Sequence, residues 1–91
     1  MTVKKYSIYL GSPHDELVAC NIVQELFDGF TMFNAVGYWR GKAEDTQVFE
    51  IVTDVKNASL IKSVCSELRN RFSQDCVLLV TSDVIADFVE D

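Results

Sequence analysis

Two large aromatics, two cations and two carboxylates crowd into one short stretch, Tyr38-Trp39-Arg40-Gly41-Lys42-Ala43-Glu44-Asp45. Carboxylates orient ammonium groups or water, aromatic faces attract cations, and a guanidinium grips anions. Nowhere else does the chain gather so many groups suited to handling a small molecule. The same composition also fits a solvated turn whose charges serve solubility and whose aromatics seal a subunit contact.

The other reactive residue types form no constellation. His14 is the only histidine, so neither a His-rich metal site nor a paired-histidine acid/base scheme can be built within one subunit. It is expected at the surface near a helix start. Cys20, Cys65 and Cys76 are odd in number and widely spaced, which argues against a disulfide framework and against zinc. Cys65 falls on an apolar helical stripe and Cys76 opens an apolar run, so packed thiols are expected. There is no G-x-G-x-x-G or Walker sequence to cradle phosphates. No metal site and no cofactor are expected.

The elements that would position the aromatic, charged segment follow from periodicity. Lys4 to Leu10 alternates, with Tyr6, Ile8 and Leu10 on one face and Ser7 and Tyr9 on the other, as in a half-buried strand. Gly11 to Asp15 predicts a turn and a helix start, with Ser12 as N-cap, Pro13 at the first helical position and Asp15 three residues past the cap. Val18, Ala19, Ile22, Val23, Leu26 and Phe27 recur at helical spacing, and Asp28-Gly29 ends the helix.

Phe30 to Trp39 and Gln47 to Thr53 predict two strands of a hairpin, joined by a long polar tip over Arg40 to Thr46. Asn57 or Ser59 caps a second helix, whose Leu60, Ile61, Val64, Cys65, Leu68 and Phe72 make the cleanest amphipathic stripe of the chain. Cys76 to Thr81 is a continuous apolar run that suggests a buried inner strand, and Val84 to Val89 suggests a further short one.

Two β-α-β units in succession, with right-handed crossovers, predict one α+β domain over residues 1–91. The arrangement is the ferredoxin-like β-α-β-β-α-β, an antiparallel sheet with both helices on one face. A chain of 91 residues that is 48% hydrophobic has more apolar surface than one small core absorbs, and the open sheet face would carry Tyr9, Val48 and Val52. Self-association is therefore expected. A net charge of −6 removes the cationic surface that nucleic-acid binding requires. No run is long enough to span a bilayer and no apolar leader follows Met1, so no membrane partner and a cytoplasmic location are expected.

Gly37-Tyr38-Trp39-Arg40-Gly41-Lys42, then Glu44-Asp45 and Val48-Phe49-Glu50-Ile51, resembles the central hairpin of ferredoxin-like trimers such as the CutA and PII-like groups. The hairpin with its acidic pair, the amphipathic helix and the run Gln74-Asp75-Cys76-Val77-Leu78-Leu79-Val80 together resemble the bacteriophage S-adenosylmethionine lyases, formerly called hydrolases. The similarity spans roughly Gly37 to Val80.

The lyase resemblance implies a homotrimer with ligand sites between subunits and a reaction needing no cofactor. The carboxylate of S-adenosylmethionine attacks its own γ-carbon, the carbon–sulfur bond breaks with its electrons going to sulfur, and methylthioadenosine and homoserine lactone result. Host methylation-dependent defence would lose its methyl donor. The resemblance implies catalytic roles for Glu44 and Asp45, Glu44 orienting the substrate ammonium or a water, with Tyr38, Trp39 and Arg40 binding substrate. The alternative is a non-catalytic oligomeric module of the same fold that sequesters a small nucleotide or a host protein.

Overall fold

The computed structural model describes residues 2–12 and 14–90. The elements run β1 (Val3–Gly11), α1 (Glu16–Leu26), β2 (Thr31–Trp39), β3 (Lys42–Asp54), a short 3-10 turn (Val55–Asn57), α2 (Ala58–Arg71) and β4 (Leu78–Asp83). The four strands form one sheet in the order β2-β3-β1-β4, every neighbouring pair antiparallel. This is the ferredoxin-like α+β arrangement that the alternation of elements predicts.

The core lies between the sheet and the two helices. Tyr6, Ile8 and Leu10 of β1 and Phe49 and Ile51 of β3 meet Ala19, Ile22 and Val23 of α1 and Ile61, Val64 and Leu68 of α2, all buried. The buried members of each helix recur three or four residues apart, which brings them onto one face. Removing each such large side chain from water is worth about 1.5–3 kcal/mol, and this drives both helices onto the same side of the sheet.

Several expectations are corrected at element ends. α1 starts later than Ser12 would set it: Asp15 is the N-cap, and its Oδ1 accepts from the Leu17 and Val18 amides at 3.0 and 3.1 Å. Ser12 instead prolongs strand pairing, its amide donating to the Asp45 carbonyl at 2.9 Å. The expected helical position of Pro13 falls outside the described residues. Asn57 occupies the N-cap position of α2 without a capping bond, and its Nδ2 donates to Thr53 Oγ1 at 2.8 Å.

The long polar hairpin tip is a two-residue turn. Arg40 and Gly41 have φ of +51° and +79°, the left-handed pair of a type I′ turn, whose twist matches that of the flanking strands. Lys42 to Thr46 therefore belong to β3. Since β1 ends its pairing at Gly11 opposite Thr46, the stretch beyond, Val36–Trp39 against Lys42–Asp45, projects as a two-stranded ribbon. The molecule measures 42 × 23 × 22 Å.

At the C-terminal side, β4 is an outer strand, pairing only with β1, and not the inner strand its apolar run suggests. Cys76 precedes it and is exposed. The apolar run divides between two faces: Leu79 packs against the core, whereas Leu78 and Val80 stand exposed on the open sheet face beside Tyr9 and Ser7. Residues 84–90 form no strand. No helix of the described residues is long and apolar enough to cross a membrane.

Candidate functional site

Alternation along β2 and β3 divides four of the five candidate residues between two faces, and the fifth, Arg40, stands in the turn between them. Register partners share a face, and Gln47 and Phe49 mark the side toward the helices, so Asp45, Ala43 and, across the ribbon, Val36 and Tyr38 lie on that side. Glu44, Lys42 and Trp39 lie on the open side. Adjacent Glu44 and Asp45 thus diverge, as do Tyr38 and Trp39. Tyr38 and Trp39 are 77% and 64% exposed, and the Arg40 guanidinium carbon stands 5.6 Å from the Trp39 ring centroid. The Glu44 carboxylate folds back over Gly11, where any Cβ would run into it.

On the helix side Asp45 reaches a polar cleft of about 310 Å³ that it lines together with Ser12, His14, Glu16, Asn34 and Gln47. Gln47 organises this cleft. It is buried at a core position of β3, and its amide nitrogen donates to the Glu16 carbonyl at 3.4 Å and to Cys20 Sγ at 3.5 Å. Its Oε1 lies 2.7 Å from His14 Nε2, while His14 Nδ1 lies 3.0 Å from the Gly11 carbonyl. The His14 ring also tilts against Phe72, centroid to centroid 5.3 Å, which ties the loop to the end of α2.

His14 is therefore part-buried and bonded, not a surface residue at a helix start. The sequence reading missed it, together with Gln47, Glu16 and Asn34. The available signal was a glutamine at an inward position of a strand otherwise apolar on that face, which demands a buried hydrogen-bond partner. No cluster of three or more His, Cys, Asp or Glu side chains suited to a metal ion occurs among the described residues. A broader groove of about 560 Å³, between the α1–β2 loop and the far end of β3, contains none of the candidate residues.

Among the thiols, burial pushes Cys65 above the ordinary cysteine range, with a backbone hydrogen bond opposing. It packs against the core beside α2's buried stripe. A thiol in that setting is held protonated, and this matches a packing role.

No family model matches the chain. No curated protein matches it either. Among solved structures it is similar over 100% of both chains to a DUF3240 family protein from Shewanella baltica, with a TM-score of 0.79 at 12% identity. It is also similar to CutA1 from Oryza sativa, with a TM-score of 0.54 at 18% identity over 96% of this chain and 85% of that one. Identities this low establish a shared fold. The likeness to the CutA group is thus one of architecture, and the class defined is a ferredoxin-like α+β protein.

Proposed function

We propose that this chain is a non-catalytic, self-assembling binding module that holds a small cationic metabolite in the cleft of His14, Asp45 and Gln47. The observation that supports it is the divergence of the acidic pair. Asp45 joins Glu16 on the cleft wall, whereas Glu44 sits on the opposite sheet face. A cleft whose lining residues include two acids, Glu16 and Asp45, with Ser12, Asn34, Thr46 and Gln47 and no Lys or Arg, suits an ammonium or sulfonium group. S-adenosylmethionine carries both and is the ligand that the ribbon's sequence resemblance suggests.

Self-assembly as a homotrimer is part of the proposal. Phe33, Val52, Leu78 and Val80 are exposed on or beside the open sheet face, and a two-stranded ribbon alone in water is marginal. Burial against copies of the chain answers both. It would also bring ribbon aromatics of one copy near a neighbour, where an aromatic face attracts a sulfonium.

The S-adenosylmethionine lyase reading is kept as the second, favoured by one observation: Asp45, a member of the acidic pair, lines the cleft on the same sheet face as Tyr38. In that reading Asp45 would fix the substrate ammonium while the substrate's own carboxylate displaces the sulfonium, and positioning would supply several kcal/mol, on the order of 7. Incubation with S-adenosylmethionine followed by chromatography separates the two. Ligand retained by the protein and recovered intact supports the binding module, and methylthioadenosine above the spontaneous background replaces it with the lyase.

A further inference from the structure

Two features at opposite ends of the molecule have no role in the cleft. After Asp83 the chain leaves the sheet, and Ile85, Phe88 and Val89 are 96%, 100% and 93% exposed. Interspersed with these apolar groups are two acids, Asp87 and Glu90, that make no ion pair among the described residues. A segment of this composition is amphipathic and anionic, and although Phe88 stands at the rim of the groove it lines with Leu26, Phe30 and Val52, its apolar groups remain almost fully exposed.

The ribbon tip is its chemical complement. In a chain of net charge −6, Arg40 and Lys42 stand together at the turn with no carboxylate within ion-pair distance among the described residues. Exposed Trp39 and Tyr38 adjoin them, and Val36 is exposed in the same strand. β2 is also an edge: it pairs with β3 alone, so one row of its backbone N–H and C=O groups is open to another strand.

The two features cannot meet within one molecule. β4 runs antiparallel to β1, with Asp83 opposite Lys4, and Lys4 in turn is opposite Thr53. The tail therefore departs from the end of the sheet where β3 finishes, while the ribbon tip lies about 36 Å away along β3 at the usual strand rise. Seven residues, 84–90, reach at most about 25 Å fully extended.

We propose that residues 84–90 of one copy lie along the ribbon of a second copy. Asp87 and Glu90 pair with Arg40 and Lys42, Ile85, Phe88 and Val89 cover the exposed ribbon aromatics, and the tail backbone pairs with the free edge of β2. The contact is head-to-tail, so repetition either closes a ring or propagates a chain. It rests on the self-assembly proposed above for closure into a trimer, and it assigns the tail and the charge pairs, which that reading leaves unassigned.

Trp39 is the only tryptophan and stands on the ribbon, so its emission reports the contact directly. Full-length protein at micromolar concentration is compared, by sedimentation and fluorescence, with a chain ending at Asp83. Two further variants, R40E/K42E and D87K/E90K, and their combination are measured alongside. Removal of the tail is expected to raise the concentration needed for assembly at least tenfold and to shift Trp39 emission to the red. Each charge reversal should weaken assembly, and the combination should recover it.

Assembly and emission unchanged in the shortened chain overturn the tail contact while leaving self-assembly standing. A combined variant as weak as either reversal overturns the charge pairing. A full-length monomer with water-exposed Trp39 overturns both this contact and the assembly it rests on.

Discussion

Gln47 and His14, thirty-three positions apart, meet at 2.7 Å and fasten the β1–α1 loop to the middle of β3. The amide of Gln47 also reaches the Glu16 carbonyl and Cys20. One buried carboxamide thus joins the first turn of α1, the loop before it and the central sheet, and it lines the polar cleft that takes in Asp45 of the acidic pair.

Replacing Gln47 with Ala should therefore cost about 1–3 kcal/mol, the scale of stranding buried polar partners. Urea denaturation measures it. A midpoint equal to wild type would mean that the loop is held by something other than this bond.

The type I′ turn gives a second expectation. Gly41 has φ of +79° and open space where a Cβ would stand, so Gly41→Ala meets no clash and pays only the left-handed backbone penalty, about 1–2 kcal/mol. Amide exchange over Val36–Thr46 should accelerate by about tenfold. Unaltered exchange in the ribbon would contradict the turn assignment.

Leu68 is fully buried toward the C-terminal end of the α2 stripe. Leu68→Ala should destabilise the fold by roughly 2–5 kcal/mol through lost transfer energy and the cavity left behind. Thermal and urea unfolding should agree on the loss, and a variant as stable as wild type would remove α2 from the core.

Cys65 and Cys76 should differ in reactivity. The raised pKa of Cys65 keeps it protonated, whereas Cys76 is exposed, so an alkylating reagent at neutral pH should label Cys76 first. The folded state holds the Cys65 proton longer than the unfolded chain. Its contribution to stability is thus complete below the ordinary thiol pKa of about 8.5 and is lost as pH rises through the higher folded value. Cys65→Ala should flatten that alkaline decline. Equal labelling rates would place Cys65 in water.

These residues also show what periodicity can and cannot reveal. The alternation of Tyr6, Ile8 and Leu10 and the spacing of Ile61, Val64 and Leu68 are local consequences of burying one face, so β1 and α2 were legible. The turn at Arg40 was hidden because a positive φ at a non-glycine residue has no strong local signature, and because Lys42–Asp45, exposed on both faces, lacks strand-like apolar alternation. The cleft was hidden for a different reason. Its pairing of His14 with Gln47 exists only once the register of β1 on β3 is set. The openness of β4 was likewise invisible, since an apolar run reads alike whether its cover is its own chain or another copy.

The central claim is that the ligand is held by the helix-side carboxylate and released unchanged. Equilibrium dialysis against S-adenosylmethionine, with chromatography of the retained material, should be run on wild type, Asp45→Asn and Glu44→Gln. The account predicts intact ligand on the wild type, retention weakened at least tenfold by Asp45→Asn, the scale of a lost hydrogen bond to a charged group, and retention unchanged by Glu44→Gln. No retention by the wild type, appearance of methylthioadenosine, or dependence on Glu44 in place of Asp45 would contradict it.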